Sequence, residues 1–480
     1  MFLGIDIGTS GVKAVIVSAT GAVLGQATVP LSVSRPQELW SEQDAGDWWT
    51  ATEAAVLAIA PELRATVKGV GLAGQMHGAT LLGDDDKPLR PAILWNDGRS
   101  FAECEELERL APQSRAITGN IAMPGFTAPK LLWVRAHEPA IFARIRSVLL
   151  PKDYVRLCMT GDKASDMADS AGTLWLDVAG RRWSKTMLDA CCLTEAHMPS
   201  LHEGTAITGT LRPEIAARWG MQQVPVAAGG GDNAAGAAGT GVISDGDAAL
   251  SLGTSGVIFV ATKDFRPNPA RAVHAFCHSL PNMWHQMSVH LSAACCLHWA
   301  ARQMGLDGHV PLLALAEQCG PAAGPELFLP YLSGERTPHN DPHVRGAFLG
   351  LSHETDPARL ATAVLEGVAF AHADGLDALR EAGTRVETLS VIGGGARSLH
   401  WGKIFAAALG VPLVYLEGGD VGPALGAARL AQIAVTGDSA ATVCARPPVS
   451  HVIEPDPVLA EQLAPKRNRF RSAYAAIRQL

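Results

Sequence analysis

Two aspartates and a repeated five-residue turn carry the chemistry that this sequence most directly suggests. Asp6 ends an apolar run and is followed by Gly-Thr-Ser-Gly-Val at residues 8–12, and the same five residues return at 253–257 with Ser251 in the acid's place. Glycines in such a turn let successive backbone N–H groups converge on an anion, and the hydroxyls of Thr9, Ser10, Thr254 and Ser255 add donors. One such turn can simply join two strands, but two of them from opposite domains could grip a polyphosphate. Asp6 beside them reads either as a turn-forming residue or as an acid that holds Mg²⁺, directly or through water, since that hard ion favours oxygen ligands and keeps its waters. The paired turns favour the metal.

A second acid, Asp232, follows three glycines and precedes Asn233 and an Ala-rich stretch. Helix capping is one reading. A general base at a helix start is the other, with Asn233 orienting a substrate hydroxyl whose proton must leave as it attacks phosphorus. Met76 and His77 end a strand-like run in a Gly-flanked segment and could line a small polar pocket. Gly69, Gly71 and Gly74 satisfy GxGxxG formally, but they lie inside that run, so a dinucleotide fingerprint is excluded. No GxxxxGK[ST] motif and no HRD or DFG signature is present. His274, Cys277, His278 and His285 cluster without zinc-site spacing and read as packing and strand hydrogen bonds. For Glu335, Arg336 and His339, in a Gly/Pro loop, a local ion pair closing the loop is expected, with substrate contact the alternative reading.

The elements that must position these residues occur twice. Residues 2–17 read as strand, turn, strand, with a third strand near 22–33 and a helix from the acidic segment after Ser41. Apolar runs at 67–75 and 91–97 suggest strands whose ends open onto a site. Residues 248–262 restart the pattern, followed by a long Ala-rich helix at 358–382, a strand and Gly-rich turn at 388–398, and helices at 400–410 and after 418. Two related α/β domains, 1–245 and 246–480, are predicted. The basic run 465–471 is expected to begin a C-terminal helix with a solvated face.

Composition agrees with large cores: 480 residues, 48% apolar and 18% charged. The net charge of −8 gives no reason to expect nucleic acid or an anionic membrane as partner. The Gly/Ala-rich stretch 224–262 holds four residues, Asp232, Asn233, Asp245 and Asp247, that rule against a membrane span. No secretory signal is read at the N-terminus and no CxxC occurs among nine cysteines, so a cytoplasmic location with reduced thiols is expected.

Taken in order, the segments GQMHGATLL, RPAILWNDGR, MPGFTAPKLLW, LPKDY, GGGDNAAGA, LSLGTSGV, FLPYLSGERTPHNDP, VIGGGARS and GGDVGPALGAARLAQIA resemble those of the FGGY carbohydrate kinases, members of the actin-like ATPase superfamily. The resemblance spans nearly the whole chain. It implies two RNase H-like domains related by duplication and flanking a deep cleft, with ATP and Mg²⁺ as cofactors. Asp232 matches the family's catalytic base and Asp6 the acid that works with Mg²⁺. Thr9–Ser10 and Gly253–Ser255 match the phosphate loops, and Gly394 and Gly395 the adenosine-binding turn. Met76, His77, Asn233 and Trp95 match the sugar pocket; glycerol kinases carry an Arg-Glu pair where this chain has Met76-His77. Within the family the likeness is greatest to members acting on D-xylulose, which implies phosphorylation at O5 in D-xylose catabolism. Ribulose or another ketose is the alternative acceptor, and an actin-like nucleotide switch without sugar chemistry is the alternative class. A homodimer is the assembly left open.

Overall fold

The β-branched runs form two mixed sheets in the computed structural model, which describes residues 1–417 and 422–478. The first sheet comprises β1 (Phe2–Ile7), β2 (Gly11–Val17), β3 (Val23–Pro30), β4 (Val70–Gly74), β5 (Ile207–Thr210), β6 (Pro225–Ala227) and β7 (Gly230–Gly231). Its order is β3-β2-β1-β4-β6-β5, with β7 beside the end of β4. The second comprises β8 (Ala248–Leu252), β9 (Gly256–Thr262), β10 (His274–Cys277), β11 (Trp284–His290), β12 (Leu389–Ile392), β13 (Leu413–Leu416) and β14 (Val449–Ile453). Here the order is β10-β11-β9-β8-β12-β13-β14.

The duplication is visible in the pairing. From β3 to β5 neighbouring strands run antiparallel, antiparallel, parallel, parallel, antiparallel. From β11 to β14 the sequence of pairings is the same. Asp6 is penultimate in β1 and Ser251 is penultimate in β8, so the two occupy equivalent sites.

Seven helices cover the sheets where they matter for the site: α1 (Ala45–Leu57), α2 (Asp232–Thr240), α3 (Cys295–Gln303), α4 (Pro357–Glu381), α5 (Leu399–Leu409), α6 (Gly422–Thr436) and α7 (Pro457–Ile477). Asp44 caps α1 by accepting from the Gly46 amide at 2.7 Å, as the acidic start of that segment suggests. The first sheet packs on Trp48 and Trp219, the second on α4 and α5. A third apolar cluster joins the halves, running from Met76 and Phe126 to Phe259 and Phe276. Among the described residues no helix is long and apolar enough to cross a membrane.

Helix α6 belongs to the second half of the sequence but packs on the first sheet. Ala424, Leu425, Ala428 and Ala431 share a buried cluster with Phe2, Val15 and Val17. Small residues bring the backbones together. A Cβ added at Gly426 would lie 1.7 Å from the Ala235 carbonyl oxygen of α2, and one at Gly71 would lie 1.9 Å from that of Ala427. Arg429 then donates to the carbonyls of Ala238 and Gly239 at 3.0 and 2.8 Å, satisfying the C-terminal end of α2. Backbone cannot yield as a side chain can, so Gly426→Val is expected to cost about 3 kcal/mol or more and to lower the urea midpoint of unfolding. An unchanged midpoint would contradict this packing.

Three sequence expectations need correction. The basic run lies in the middle of α7 and does not begin it. Its face is paired, not solvated: Lys466 meets Glu366, and Arg467 and Arg471 both meet Asp374 and Asp377. Residues 91–97 contribute only the short strand Ala92–Ile93, which pairs with Glu42–Gln43 away from the main sheet. Gly418 to Val421, the turn before α6, lie outside the described residues.

Candidate active site

Three strand ends gather the acidic and pocket residues. β4 lies between β1 and β7, with Ala73 paired to Asp6 on one side and to Gly230 on the other. Asp6 and the start of α2 are therefore about two strand spacings apart, ~10 Å. Gly229, at φ +79°, permits this approach: a Cβ there would lie 1.8 Å from the Leu72 carbonyl oxygen. The next turn, Gln75-Met76-His77, leaves β4 beside β7, and a Cβ at Gly231 would touch the Met76 side chain at 2.8 Å.

Asp232 is the first residue of α2 and makes no side-chain cap, so the capping reading does not describe it. Its Oδ1 accepts from the Asn233 amide at 2.7 Å and from Asn233 Nδ2 at 2.8 Å. Burial pushes its carboxyl up to about 6, opposed by those two donors. Asp6 is pushed further, to about 7, by burial and then by the Asp232 charge, with Lys13 opposing. Asp6 Oδ1 is buried without a hydrogen-bond partner among the described residues. A carboxylate raised by desolvation and by a neighbouring acid, with one oxygen unsatisfied, is a fitting ligand for a divalent cation.

His77 stands at φ +70° and its Nδ1–H donates to the Gly172 carbonyl at 2.6 Å. Burial, with Lys130 next in effect, holds the imidazole down to about 3, so it is neutral and presents Nε2 as an acceptor. Lys130 itself is buried and donates to the carbonyls of His77 and Gly125, both at 2.8 Å. Trp95, 42% exposed, donates its indole N–H to the Thr9 hydroxyl at 2.9 Å, and that hydroxyl donates to Gln75 Oε1 at 2.9 Å. Gln75 in turn donates to Gln43, which donates to the Thr9 carbonyl at 2.8 Å. The first Gly-Thr-Ser-Gly turn is thus stitched to the Gln75-Met76-His77 turn, while Ser10 stays exposed. Gln43, Gln75 and Lys130 were not singled out by sequence reasoning. Gln75 and Lys130 lie inside the segments GQMHGATLL and MPGFTAPKLLW, but only the fold shows what they hold.

The second turn faces a different space. Gly253, Thr254, Gly394 and Gly395 line one cavity of about 750 Å³, walled also by Cys295 and Trp401. Thr254 and Ser255 are exposed, and the carbonyls of Gly253 and Thr254 accept from Ala294 and Ala293 at the approach to α3. Asp232, Asn233 and Ser251 line a second cavity of about 240 Å³ together with Phe259 and Pro423. Trp95 lies on a third, of about 570 Å³, which Glu335 and Arg336 also line. The structure therefore joins the second turn to Gly394–Gly395, and Asp232 to Ser251; the first turn lines neither of those cavities.

The histidine-rich segment is structural, as expected: His278 bonds the Val242 carbonyl at 3.2 Å and His285 stacks on Phe259. The expected ion pair between Glu335 and Arg336 is not formed. Glu335 accepts instead from the amides of Leu291 and Arg336 at 3.0 and 2.8 Å, because the chain turns its carboxylate inward onto its own backbone.

The model for the N-terminal domain of the FGGY family of carbohydrate kinases matches residues 1–239, and that for the C-terminal domain matches 248–435. The chain is 55% identical to a xylulose kinase of Escherichia coli (strain K12), covering 99% of this chain and 98% of that one. It is 52% identical to a xylulose kinase of Klebsiella pneumoniae, over 100% of both. A crystal structure of a xyloylose kinase from Brucella ovis superposes with a TM-score of 0.96 at 50% identity, over 99% of each chain. With both domain models matched in order and the two sheets paired alike, this chain belongs to the FGGY family of carbohydrate kinases.

Proposed function

We propose that this enzyme transfers the γ-phosphoryl group of ATP to O5 of D-xylulose, with Asp232 as general base. The observation that carries this is the state of Asp232: a carboxylate lining a cavity, one oxygen held by Asn233, its pKa near 6. A base so tuned is ionised at neutral pH yet still able to take a proton from a hydroxyl in the transition state. The positive end of α2 favours the charged form. Oδ2 is left for the O5 proton, while the neutral His77, Met76 and Trp95 hold the sugar and Asn233 fixes the base.

Asp6 is the residue that would hold Mg²⁺, its unsatisfied oxygen being the structural reason. The ion would offset charge on the transferring phosphoryl group. Thr9, Ser10 and Gly253–Ser255 are assigned to the phosphates, Gly394 and Gly395 to adenosine. The second turn and the two glycines sharing one cavity support that division. We place the domain boundary at 245–246, in the turn where Asp247 accepts from the amides of Ile243 and Ser244. ATP as donor suits the cytoplasm.

ADP release measured across a panel of ketoses, with the phosphorylated product identified, tests the reading. D-Xylulose is expected to give the highest kcat/KM and a 5-phosphate product. A better rate with ribulose would reassign the sugar, and sugar-independent ATP turnover without a phosphosugar would make the chain a nucleotide switch.

A further inference from the structure

The ketose acceptor has a second end, remote from O5. Resting on the xylulose reading, the chemistry is specific. In the closed furanose ring O5 is bonded to C2, so an O5 free to attack phosphorus belongs to the open-chain sugar. That form carries a ketone at C2, which only accepts hydrogen bonds.

Among the side chains assigned to the sugar, those of the first half offer no cationic donor away from Asp232. His77 Nε2 is an acceptor, since Nδ1 carries the proton toward Gly172. The Trp95 indole N–H is taken by Thr9, Lys130 is buried and spends two of its three N–H groups on carbonyls, and Asn233 spends one of its two on Asp232, so its free donor lies beside the base at the O5 end. Arg336 is different. It lines the cavity of about 570 Å³ together with Trp95. Among the described residues its guanidinium forms no ion pair with a carboxylate, and its one side-chain partner is His274 Nε2 at 3.4 Å.

That partner is itself fixed in tautomer. Asn120 donates Nδ2 to the carbonyls of Thr118 and Ala275 at 2.7 and 2.9 Å, which leaves Oδ1 to accept from His274 Nδ1 at 3.2 Å. His274 Nε2 must then be an acceptor for Arg336. The same histidine packs edge-on against Phe126 at 5.5 Å, and Phe126 packs edge-on against His77 at 4.8 Å. Glu335 pins the loop on both sides through the amides of Leu291 and Arg336. A guanidinium has five N–H groups, so a single long bond to His274 leaves donors for a ligand. A largely desolvated cation without a carboxylate partner is costly, and such groups are kept where they meet something.

We infer that Arg336 is a specificity-determining residue, the donor that recognises the C2 carbonyl of the open-chain ketose across the cleft. A pentitol carries a hydroxyl in place of the ketone, which can turn its O–H aside and accept from the guanidinium but is a weaker acceptor than the planar carbonyl, so it gains less from Arg336.

The test uses the full-length enzyme with Arg336→Met, Arg336→Lys and wild type, measuring kcat and KM for xylulose, KM for ATP, and the inhibition constant of xylitol. In Arg336→Met the xylulose KM is expected to rise ~10- to 100-fold, the loss of a charge-assisted hydrogen bond. Xylitol inhibition should change less than about threefold and the ATP KM less than about twofold. Arg336→Lys, which keeps the charge and some donors, should fall between and covers the case in which the Met variant fails to fold. An unchanged xylulose KM in both variants overturns the inference, as does an equal weakening of xylulose and xylitol. If wild type prefers another ketose, the xylulose reading fails separately, and the same comparison with that ketose and its polyol still decides the role of Arg336.

Discussion

Replacing Asp232 with Ala is expected to lower ketose phosphorylation by roughly 10³- to 10⁴-fold, the upper range for loss of a positioned general base. The fold should survive, since Asp232 makes no cap and its carboxylate bonds only to its neighbour Asn233. ATP binding should survive too, because the cavity shared by Gly253 and Gly394 does not include it. Asp232→Asn should be nearly as inactive, an amide being unable to take the proton. In wild type the base must be ionised, so kcat/KM for the sugar rises with pH through a limb near 6. That limb should be absent from whatever residual rate the Ala variant shows. Near-normal turnover in Asp232→Ala, or a rate that falls as pH rises through 6, would remove Asp232 from the mechanism.

Asp6→Asn is expected to lower turnover by about 10²- to 10³-fold and to weaken its dependence on Mg²⁺, as removal of an anionic metal ligand does. Ser251→Ala, at the equivalent place in the second sheet, should change the rate by less than about threefold. The contrast follows from charge. Ser251 already shares a cavity with Asp232, so an acid there would add a third carboxylate to a pair that repel each other.

Asp6 also leaves a signature in stability that needs no substrate. Its folded pKa, about 7, stands above its unfolded value, about 3.9. Between those values the folded protein holds a proton that the unfolded chain has lost, so wild type loses stability as pH rises from about 4 to about 7. Below that window the carboxyl is neutral in both states and contributes nothing. Asp6→Asn should therefore unfold at a higher urea concentration than wild type at pH 8, and at a similar one at pH 4. Equal midpoints at both values would mean that Asp6 is neither strained by burial nor repelled by Asp232.

The site was partly legible because some chemistry depends on local sequence. A Gly-Thr-Ser-Gly turn between apolar β-branched runs specifies strand, turn and strand wherever it occurs, so its two copies foretold the repeated sheet. Asp6 and Asp232 stood out because each follows a strand-forming or Gly-rich run at a point where a strand ends or a helix begins. Gln43 and Lys130 gave no such signal: a Gln or Lys beside apolar residues resembles many others until the chain brings it against Thr9 or the His77 carbonyl.

The same limit applied to pairing. Sequence adjacency suggested an ion pair between Glu335 and Arg336, and the fold separated their side chains, one to its own backbone and the other to His274. The basic run in α7 looked solvated because its partners, Glu366, Asp374 and Asp377, lie about ninety to a hundred residues earlier on α4. Helix α6 was readable as a helix from its Ala and Leu, yet nothing local said that it would return to the first sheet and press Gly426 onto α2.

By itself, then, the sequence determined the type of each central element, the duplication, the two Gly-Thr-Ser-Gly turns and the two acids at strand and helix ends, because propensity, patterning and turn chemistry act over a few residues. Only the tertiary structure decided what those acids experience. Burial, the repulsion between Asp6 and Asp232, the fixed tautomers of His77 and His274, and the arrival of Arg336 in one cavity with Trp95 all arise from contacts between distant segments, and desolvation and charge coupling do not exist until those contacts form.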